Sequence, residues 1–171
     1  MKLAEVRRWA FDAHGNQRYG PHPYSFHLEA VEAVAIRFGF GSVKIRKSCL
    51  LHDVQEDTSK TAADMRAVGI EEDVIAISSA VTDEPGANRK ERKQRTYPKI
   101  RILRDAIIVK LCDRIANVEF SLSTDGRTAP MYKREFAEFE LQLRDRDDLE
   151  VEVLWLHLEQ LLARVPGPAA A

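Results

Sequence analysis

A histidine and three carboxylates fall within the six-residue segment His52-Asp53-Val54-Gln55-Glu56-Asp57. The segment follows the apolar run Ser48-Cys49-Leu50-Leu51, and charged side chains are seldom buried unless they are paired or bind a metal. If one helix carries this segment, His52 shares a face with Glu56, and Asp53 shares a face with Asp57. A cation held by the first pair would then lie beside the carboxylates of the second pair.

Two other segments offer ligands for the same cation. A hard divalent cation needs several ligands that converge from different elements. His27 lies early in one predicted helix, and Asp113 directly follows the largely apolar segment Ile107–Cys112 in another. An unpaired carboxylate in such a buried segment would be costly. Two histidines and two carboxylates, with water in the remaining positions, suit manganese, iron(II) or another octahedral first-row ion.

The elements that position these residues are predicted to be helices. Apolar residues recur at helical spacing over most of the chain, and no convincing alternating strand pattern appears. Ser42 is the predicted N-cap of a helix that continues through the central motif. The other predicted helices cover residues 3–13, 24–38, 61–68, 70–81, 107–118, 132–143 and 149–165, with loops at 14–23, 82–88 and 121–130. The predicted fold is all-α, with one helical-bundle domain over residues 1–165 and a disordered tail at 166–171.

Composition narrows the possible partners. The chain has 171 residues, 44% of them hydrophobic and 31% charged, which is typical of a globular protein with one sizeable core. The net charge of −1 gives no overall basic field, so nucleic acid is not an expected partner. Neither a signal peptide nor an apolar run of membrane-spanning length is found, which predicts a cytoplasmic protein without a membrane partner. Cys49 and Cys112 lie in apolar runs and are expected to be reduced core residues.

Three segments together resemble a known family. They are Tyr24-Ser25-Phe26-His27, Leu50-Leu51-His52-Asp53-Val54-Gln55-Glu56-Asp57-Thr58 and Val109-Lys110-Leu111-Cys112-Asp113-Arg114-Ile115-Ala116-Asn117. Their order, His…His-Asp…Asp, is similar to that of the HD-domain metal-dependent phosphohydrolases. The forms HD-x-x-ED-T and K-L-x-D-R-x-x-N more specifically resemble the hydrolase half of the alarmone-cycling enzymes, whose single-domain members are the small alarmone hydrolases. The resemblance covers roughly residues 10 to 120.

This resemblance implies a set of site residues. The implied metal ligands are His27, His52, Asp53 and Asp113, and the usual ion of the family is manganese. Glu56 and Asp57 would position and deprotonate the attacking water. The chemistry is coherent, because a bound cation lowers the pKa of water and a nearby carboxylate can accept the proton.

The implied substrate contacts lie in several parts of the chain. Asn117, one turn after Asp113, would hydrogen-bond a nucleoside sugar or base. A basic run after the loop 82–88 would neutralise phosphates. The full set of implied substrate contacts is Arg18, Arg89, Lys90, Arg92, Lys93, Asn117, Tyr132 and Lys133. The sequence departs from the family at Gln17-Arg18-Tyr19, where an Arg-Lys pair is usual, and at Leu28, where a proline is usual.

The leading hypothesis is therefore a metal-dependent nucleotide phosphohydrolase that removes pyrophosphate from the 3′ position of guanosine or adenosine alarmones. An HD-type nucleotidase and an NADPH 2′-phosphatase are alternatives that keep the metal chemistry. A nucleotide-sensing module without turnover is an alternative from another class. Oligomeric state and base preference stay open.

Overall fold

A computed structural model describes residues 1–124 and 127–166. Its helices are α1 (Leu3–His14), α2 (Ser25–Arg37), α3 (Val43–Leu51), α4 (Val54–Asp57), α5 (Ala62–Ala67), α6 (Glu72–Val81), α7 (Arg89–Arg101), α8 (Arg104–Ser123), α9 (Ala129–Leu143) and α10 (Leu149–Ala163). The prediction of an all-α bundle is confirmed. Within the predicted tail 166–171, residues 167–171 lie outside the described residues, and the domain limit at 165 stays a prediction.

The helix expected to run through the central motif is in fact two helices. Ser42 caps α3 as predicted, because its side chain accepts a hydrogen bond from the backbone N–H of Ile45 at 3.3 Å. However, α3 ends at Leu51, and α4 begins only at Val54. His52 and Asp53 thus form the junction between two helices, and the prediction that one helix carries the whole motif is wrong.

The loop between α1 and α2 contains a small hairpin that the sequence did not predict. Strand β1 (Arg18–Tyr19) pairs antiparallel with β2 (His22–Pro23), so that Tyr19 lies opposite His22. Two residues per strand are too few for an alternating pattern to be visible. Part of the predicted loop 121–130 is helical, because α8 continues to Ser123 and α9 begins at Ala129. Pro130 is favourable in the first turn of α9, where no backbone N–H is needed.

Helix α8 lies at the centre of the bundle. All of its residues from Ala106 to Ala116 are buried, and it packs against α2, α3 and α10. A helix buried on every side carries apolar residues all round, which explains why Ile107–Leu111 resembles a strand in isolation. Lys110, Asp113 and Arg114 are the charged residues in this buried stretch. The bundle therefore places three charges at its centre, where each one requires a partner.

None of the helices in the described ranges combines the length and the apolar character that crossing a membrane would require.

Candidate metal centre and active-site cavity

Four potential ligands converge from three parts of the fold. His27 lies in the first turn of α2, His52 and Asp53 form the α3–α4 junction, and Asp113 lies in the middle of α8. The two Nε2 atoms of the histidines are 3.2 Å apart, and Asp53 Oδ2 lies 2.9 Å from His52 Nε2 and 3.5 Å from His27 Nε2. Asp113 Oδ1 lies 3.3 Å and 3.6 Å from the same nitrogens of His27 and His52. The break between α3 and α4 is what turns both His52 and Asp53 toward α2 and α8.

The donor set fits a divalent cation. His52 Nδ1 lies 2.8 Å from the carbonyl oxygen of Cys49, an acceptor, so Nδ1 carries the proton and the neutral ring presents a lone pair at Nε2. The four facing atoms are the Nε2 atoms of His27 and His52, Asp53 Oδ2 and Asp113 Oδ1. If both imidazoles are neutral, His52 Nε2 carries no hydrogen, so the two rings contribute at most one hydrogen to this group, on His27 Nε2. Cis ligands of an octahedral ion at about 2.1 Å stand about 3 Å apart, close to the observed separations. His27, His52 and Asp53 form a candidate metal cluster among the described residues; the role of Asp113 as a further ligand stays a prediction.

Without a cation, protons compensate the charge of this cluster. Burial alone would lower the pKa of His52, but the carboxylates of Asp53 and Asp113 raise it to about 10. Burial would raise the pKa of Asp53, but the neighbouring histidines hold it well below its usual value. Lys110, at 3.1 Å from Asp113 Oδ2, and the two histidines do the same for Asp113. The centre is built to hold positive charge.

Glu56 and Asp57 of α4 line the same cavity as Asp53. Glu56 Oε2 accepts a hydrogen bond from the backbone N–H of Asp83 at 3.2 Å, and Asp57 Oδ2 accepts one from the side-chain amide of Gln17 at 2.9 Å. Burial, followed by the charges of Asp83 and Asp53, raises the pKa of Glu56. A carboxylate with a raised pKa is a better proton acceptor, which suits a general base.

Another part of the cavity lining, here called the cationic wall, is positively charged. It consists of Arg89 and Lys93 from α7 and Lys110 and Arg114 from α8. Each also faces an acidic side chain: Arg89 and Arg114 lie 2.6 Å and 3.6 Å from Glu135, Lys93 lies 2.8 Å from Asp83, and Lys110 lies 3.1 Å from Asp113. Burial and the neighbouring charge of Lys110 lower the pKa of Lys93 to about 8. The cavity thus joins an acidic, imidazole-bearing wall to a wall suited to anions.

The predicted substrate contacts divide into two groups. Asn117, Arg89, Lys93 and Tyr132 line the cavity. The other four, Arg18, Lys90, Arg92 and Lys133, are not among its lining residues, and they engage other groups or lie outside it. Arg18 donates to the carbonyl oxygen of Pro21, and Lys133 donates to that of Val165 at 2.6 Å.

The remaining two, Lys90 and Arg92, lie on α7. Lys90 lines a neighbouring depression between α7 and α9. Arg92 is half-buried, and its Nε lies 3.8 Å from Asp83 Oδ2. Helical spacing explains the division, because Arg89 and Lys93 are four residues apart and share a face that Lys90 and Arg92 do not.

Four cavity residues had no predicted role: Lys110, Arg114, Tyr19 and Tyr24. Lys110 and Arg114 had a visible signal, since each is a charge inside an otherwise apolar helix and needs a buried partner. Tyr19 and Tyr24 lie in and beside the hairpin, where no periodicity indicates the direction of a side chain. Tyr24 donates to Asp53 Oδ2 at 2.5 Å and so contacts the metal centre directly.

Comparisons with known proteins agree with this architecture. No family model and no curated protein matches the sequence. A solved metazoan structure, described as an ortholog of SpoT that hydrolyses ppGpp and plays a role in starvation responses, superposes with a TM-score of 0.77. It is 23% identical, and the match covers 94% of this chain and 93% of the metazoan one.

A second solved structure, lmo0812 from Listeria monocytogenes EGD-e, superposes with a TM-score of 0.62 at 20% identity. That match covers 81% of this chain and 99% of the bacterial one. At these identities the similarity shows the fold. The chain therefore has the fold of a ppGpp-hydrolysing protein, which is the fold that its motifs predict.

Proposed function

We propose that the protein is a metal-dependent nucleotide phosphohydrolase that removes pyrophosphate from the 3′ position of a guanosine or adenosine alarmone. The observation that carries the proposal is the composition of one cavity. Its acidic wall contains His27, Asp53, Asp113 and Glu56, and the four cations of the cationic wall line the same cavity. His52 Nε2 lies within 3.6 Å of atoms of His27, Asp53 and Asp113. A site of this kind suits a substrate that carries both a reacting phosphorus and further negative charge.

The acidic wall would activate water. A divalent cation such as manganese would polarise the phosphoryl group and lower the pKa of a nearby water molecule. Glu56 would accept the proton, because its raised pKa matches the task and its carboxylate lines the cavity. Asp57, held by Gln17, would orient the water.

The cationic wall would bind the phosphates. Arg89 and Lys93 can bridge between their present acidic partners and an incoming anion, because both lie at the surface of the cavity. Arg114 supports this role, since its Nη1 is buried and has no hydrogen-bond partner among residues 1–124 and 127–166. An unmet buried donor is costly, and a phosphate oxygen would satisfy it. Tyr132, which also lines the cavity, would pack against the base or sugar.

The substrate assignment rests on the resemblance of the motifs and on the described activity of the metazoan protein. The first test is to incubate the manganese-loaded protein with guanosine and adenosine alarmones, NADPH, nucleoside monophosphates and nucleoside triphosphates. Anion-exchange chromatography then resolves the products. Pyrophosphate release restricted to 3′-pyrophosphorylated nucleotides is the expected result. Phosphate release from NADPH or monophosphates would instead indicate one of the alternative phosphatases.

The variant Glu56→Gln tests the catalytic assignment. It removes the proton acceptor with little change in shape, so we expect turnover to fall by about 100-fold or more while bound manganese is unchanged. Glu29→Gln is the matched control, because Glu29 is an exposed residue of α2 that pairs with Arg7. Full turnover in Glu56→Gln, or tight nucleotide binding without turnover in the unmodified protein, would contradict the proposal.

A further inference from the structure

The hairpin brings Tyr19 against the candidate metal centre. The ring of Tyr19 stacks on the imidazole of His27, with centroids 4.6 Å apart and planes inclined by 19°. The hydroxyl of Tyr19 donates to Asn117 Oδ1 at 2.8 Å. Tyr19 therefore contacts one candidate ligand through its ring and reaches toward α8 through its hydroxyl.

Asn117 extends this contact to a second candidate ligand. Its side-chain Nδ2 donates to the backbone oxygen of Asp113 at 3.0 Å and to Asp113 Oδ1 at 2.6 Å. Both of these atoms are acceptors only, so Nδ2 must face Asp113 and Oδ1 must face Tyr19. The oxygen bound by Asn117 is the one that lies 3.3 Å from His27 Nε2. The side-chain amide of Asn117 thus binds Asp113 at two atoms, the backbone carbonyl oxygen and the carboxylate oxygen Oδ1 that faces the histidines.

The two candidate histidine ligands are held in different ways. A histidine that binds a metal through one nitrogen almost always donates its other N–H to a neighbouring acceptor. His52 follows this rule through the carbonyl oxygen of Cys49. His27 Nδ1 is buried and has no hydrogen-bond partner in the part of the chain that the structure describes. Its ring is instead held between aromatic side chains, with Tyr19 stacked on it and Tyr24 at 5.5 Å and nearly perpendicular.

The turn of the hairpin fixes the position of Tyr19. Phe120 of α8 packs against the Tyr19 ring with centroids 4.6 Å apart. Gly20 adopts a positive φ of 57°, and a Cβ atom there would lie 3.1 Å from Phe120 Cζ. Glycine therefore permits both the turn and its close approach to α8. As a result, Tyr19 is held from two sides while it contacts the metal centre.

We propose that Tyr19 is a positioning residue of the metal centre, which orients the His27 imidazole by stacking and the Asp113 carboxylate through Asn117. The inference rests on the proposed function, because it concerns the same centre. It assigns a role to a residue of the segment Gln17-Arg18-Tyr19, where the sequence departs from the resembled family. It also gives Asn117 the role of connecting Tyr19 of the hairpin to Asp113, a candidate metal ligand, in addition to any contact with a nucleoside.

The test is a double-mutant cycle read out as manganese affinity in the absence of substrate. Isothermal titration calorimetry would compare the unmodified protein with Tyr19→Phe, Tyr19→Leu, Asn117→Ala and the double variant Tyr19→Phe/Asn117→Ala. Changes in residues that orient metal ligands typically weaken metal binding about 10- to 100-fold. We expect Tyr19→Phe to raise the Kd about 10-fold and Tyr19→Leu to raise it further, because the second change also removes the stack. Tyr97→Phe, which removes the hydroxyl of a buried tyrosine outside the cavity lining, should leave the Kd unchanged.

The double-mutant cycle tests whether Tyr19 and Asn117 act on Asp113 through one shared contact or affect metal binding independently. If Tyr19 acts on Asp113 through Asn117, adding Tyr19→Phe to Asn117→Ala should cause no further loss of affinity. Additive losses, or an unchanged Kd in Tyr19→Phe, would overturn the inference while leaving the proposed function intact. Absence of manganese binding by the unmodified protein would overturn both. If Tyr19→Leu unfolds the metal-free protein, judged by circular dichroism, Tyr19→Phe decides the outcome because it keeps the ring.

Discussion

Two clusters of buried or partly buried charged residues in this molecule differ in how their acceptor atoms are satisfied. At the end of α9, Arg144 is surrounded by three glutamates: Glu140 and Glu159 lie 2.6 Å from its Nη1, and Glu152 lies 3.1 Å from its Nε. Trp155 packs against the guanidinium with its ring centroid 5.6 Å away. The guanidinium of Arg144 thus lies between the carboxylates of the three glutamates. In the candidate metal centre, His27, His52, Asp53 and Asp113 face one another, and the two rings have at most one hydrogen to share among these four residues when both rings are neutral.

The difference separates a structural cluster from a candidate site. An arginine with several donors can satisfy several carboxylates at once, so the Arg144 cluster is complete within the chain. The metal centre is complete only when protons or a cation are added. Lys110 donates to Asp113 Oδ2, the oxygen that does not face the histidines, and Tyr24 donates to Asp53 Oδ2, which does face them. Neither donor lies between the carboxylates as Arg144 lies between its glutamates. In this molecule, acceptor atoms that face one another without a cation of the chain between them indicate a bound ligand better than the number of charged residues in a cluster.

The largest expected effect comes from removing a ligand of the metal centre. We expect Asp53→Ala and His52→Ala each to weaken manganese binding by more than about 100-fold, since changes that only orient ligands already cost about 10- to 100-fold. Turnover should fall with metal content, measured by elemental analysis of the dialysed protein. Arg144→Met is the control and should bind manganese normally. Retained metal and turnover in Asp53→Ala would show that the ion lies elsewhere.

A smaller effect, on stability and not on the metal, is expected from the structural cluster. Arg144→Met leaves Glu140, Glu152 and Glu159 close together without their cation. Breaking a buried ion pair costs about 3–5 kcal/mol, and partial exposure of these glutamates reduces the expected loss to about 2 kcal/mol. Urea denaturation would measure the change in the free energy of unfolding. A loss of manganese affinity in Arg144→Met would contradict the conclusion that the Arg144 cluster is structural and separate from the candidate metal centre.

The smallest expected effect is a pH dependence of activity that arises from Lys93 of the cationic wall. Lys93, with its pKa lowered to about 8, loses its positive charge as the pH rises through that value. If the ammonium binds phosphate, kcat/KM should fall about tenfold for each pH unit above 8. Lys93→Arg should abolish this decline, because a guanidinium stays charged. Lys99→Arg is the matched control: Lys99 is on the same helix but donates to the backbone oxygens of Ser79 and Thr82. An alkaline decline that persists in Lys93→Arg would assign it to another group.

Much of the fold follows from periodicity alone. The burial of α8 was predictable from the apolar run before Asp113, and the Ser42 cap was predictable from its side chain. The break between α3 and α4 was not, because His52 and Asp53 keep backbone dihedrals in the right-handed helical region and what they require is contact with residues of α2 and α8. Local propensity contains no information about that requirement.

Within the candidate site, motif spacing was sufficient to predict that the four proposed ligands lie together and that Glu56 lies beside them. Spacing could not give the direction of long side chains. Lys133 follows Tyr132 directly, yet only Tyr132 lines the cavity, while Lys133 donates to the backbone of Val165. The contacts of Tyr19 were equally hidden, because they depend on how a short hairpin meets a helix far away in the sequence.

The hydrogen bond between Tyr19 and Asn117 joins residues 98 positions apart, and this separation bears on how the protein folds. His27, His52 and Asp53 all precede α7, whereas Asp113 and Asn117 belong to α8. A chain folded only through α6 would carry three of the four proposed ligands and lack the partner of Tyr19. An ion that binds the complete centre stabilises only the conformation in which α8 has docked. Bound metal would therefore favour the fully folded chain over partly folded ones, so that metal loading reports the completion of folding as well as readiness for chemistry.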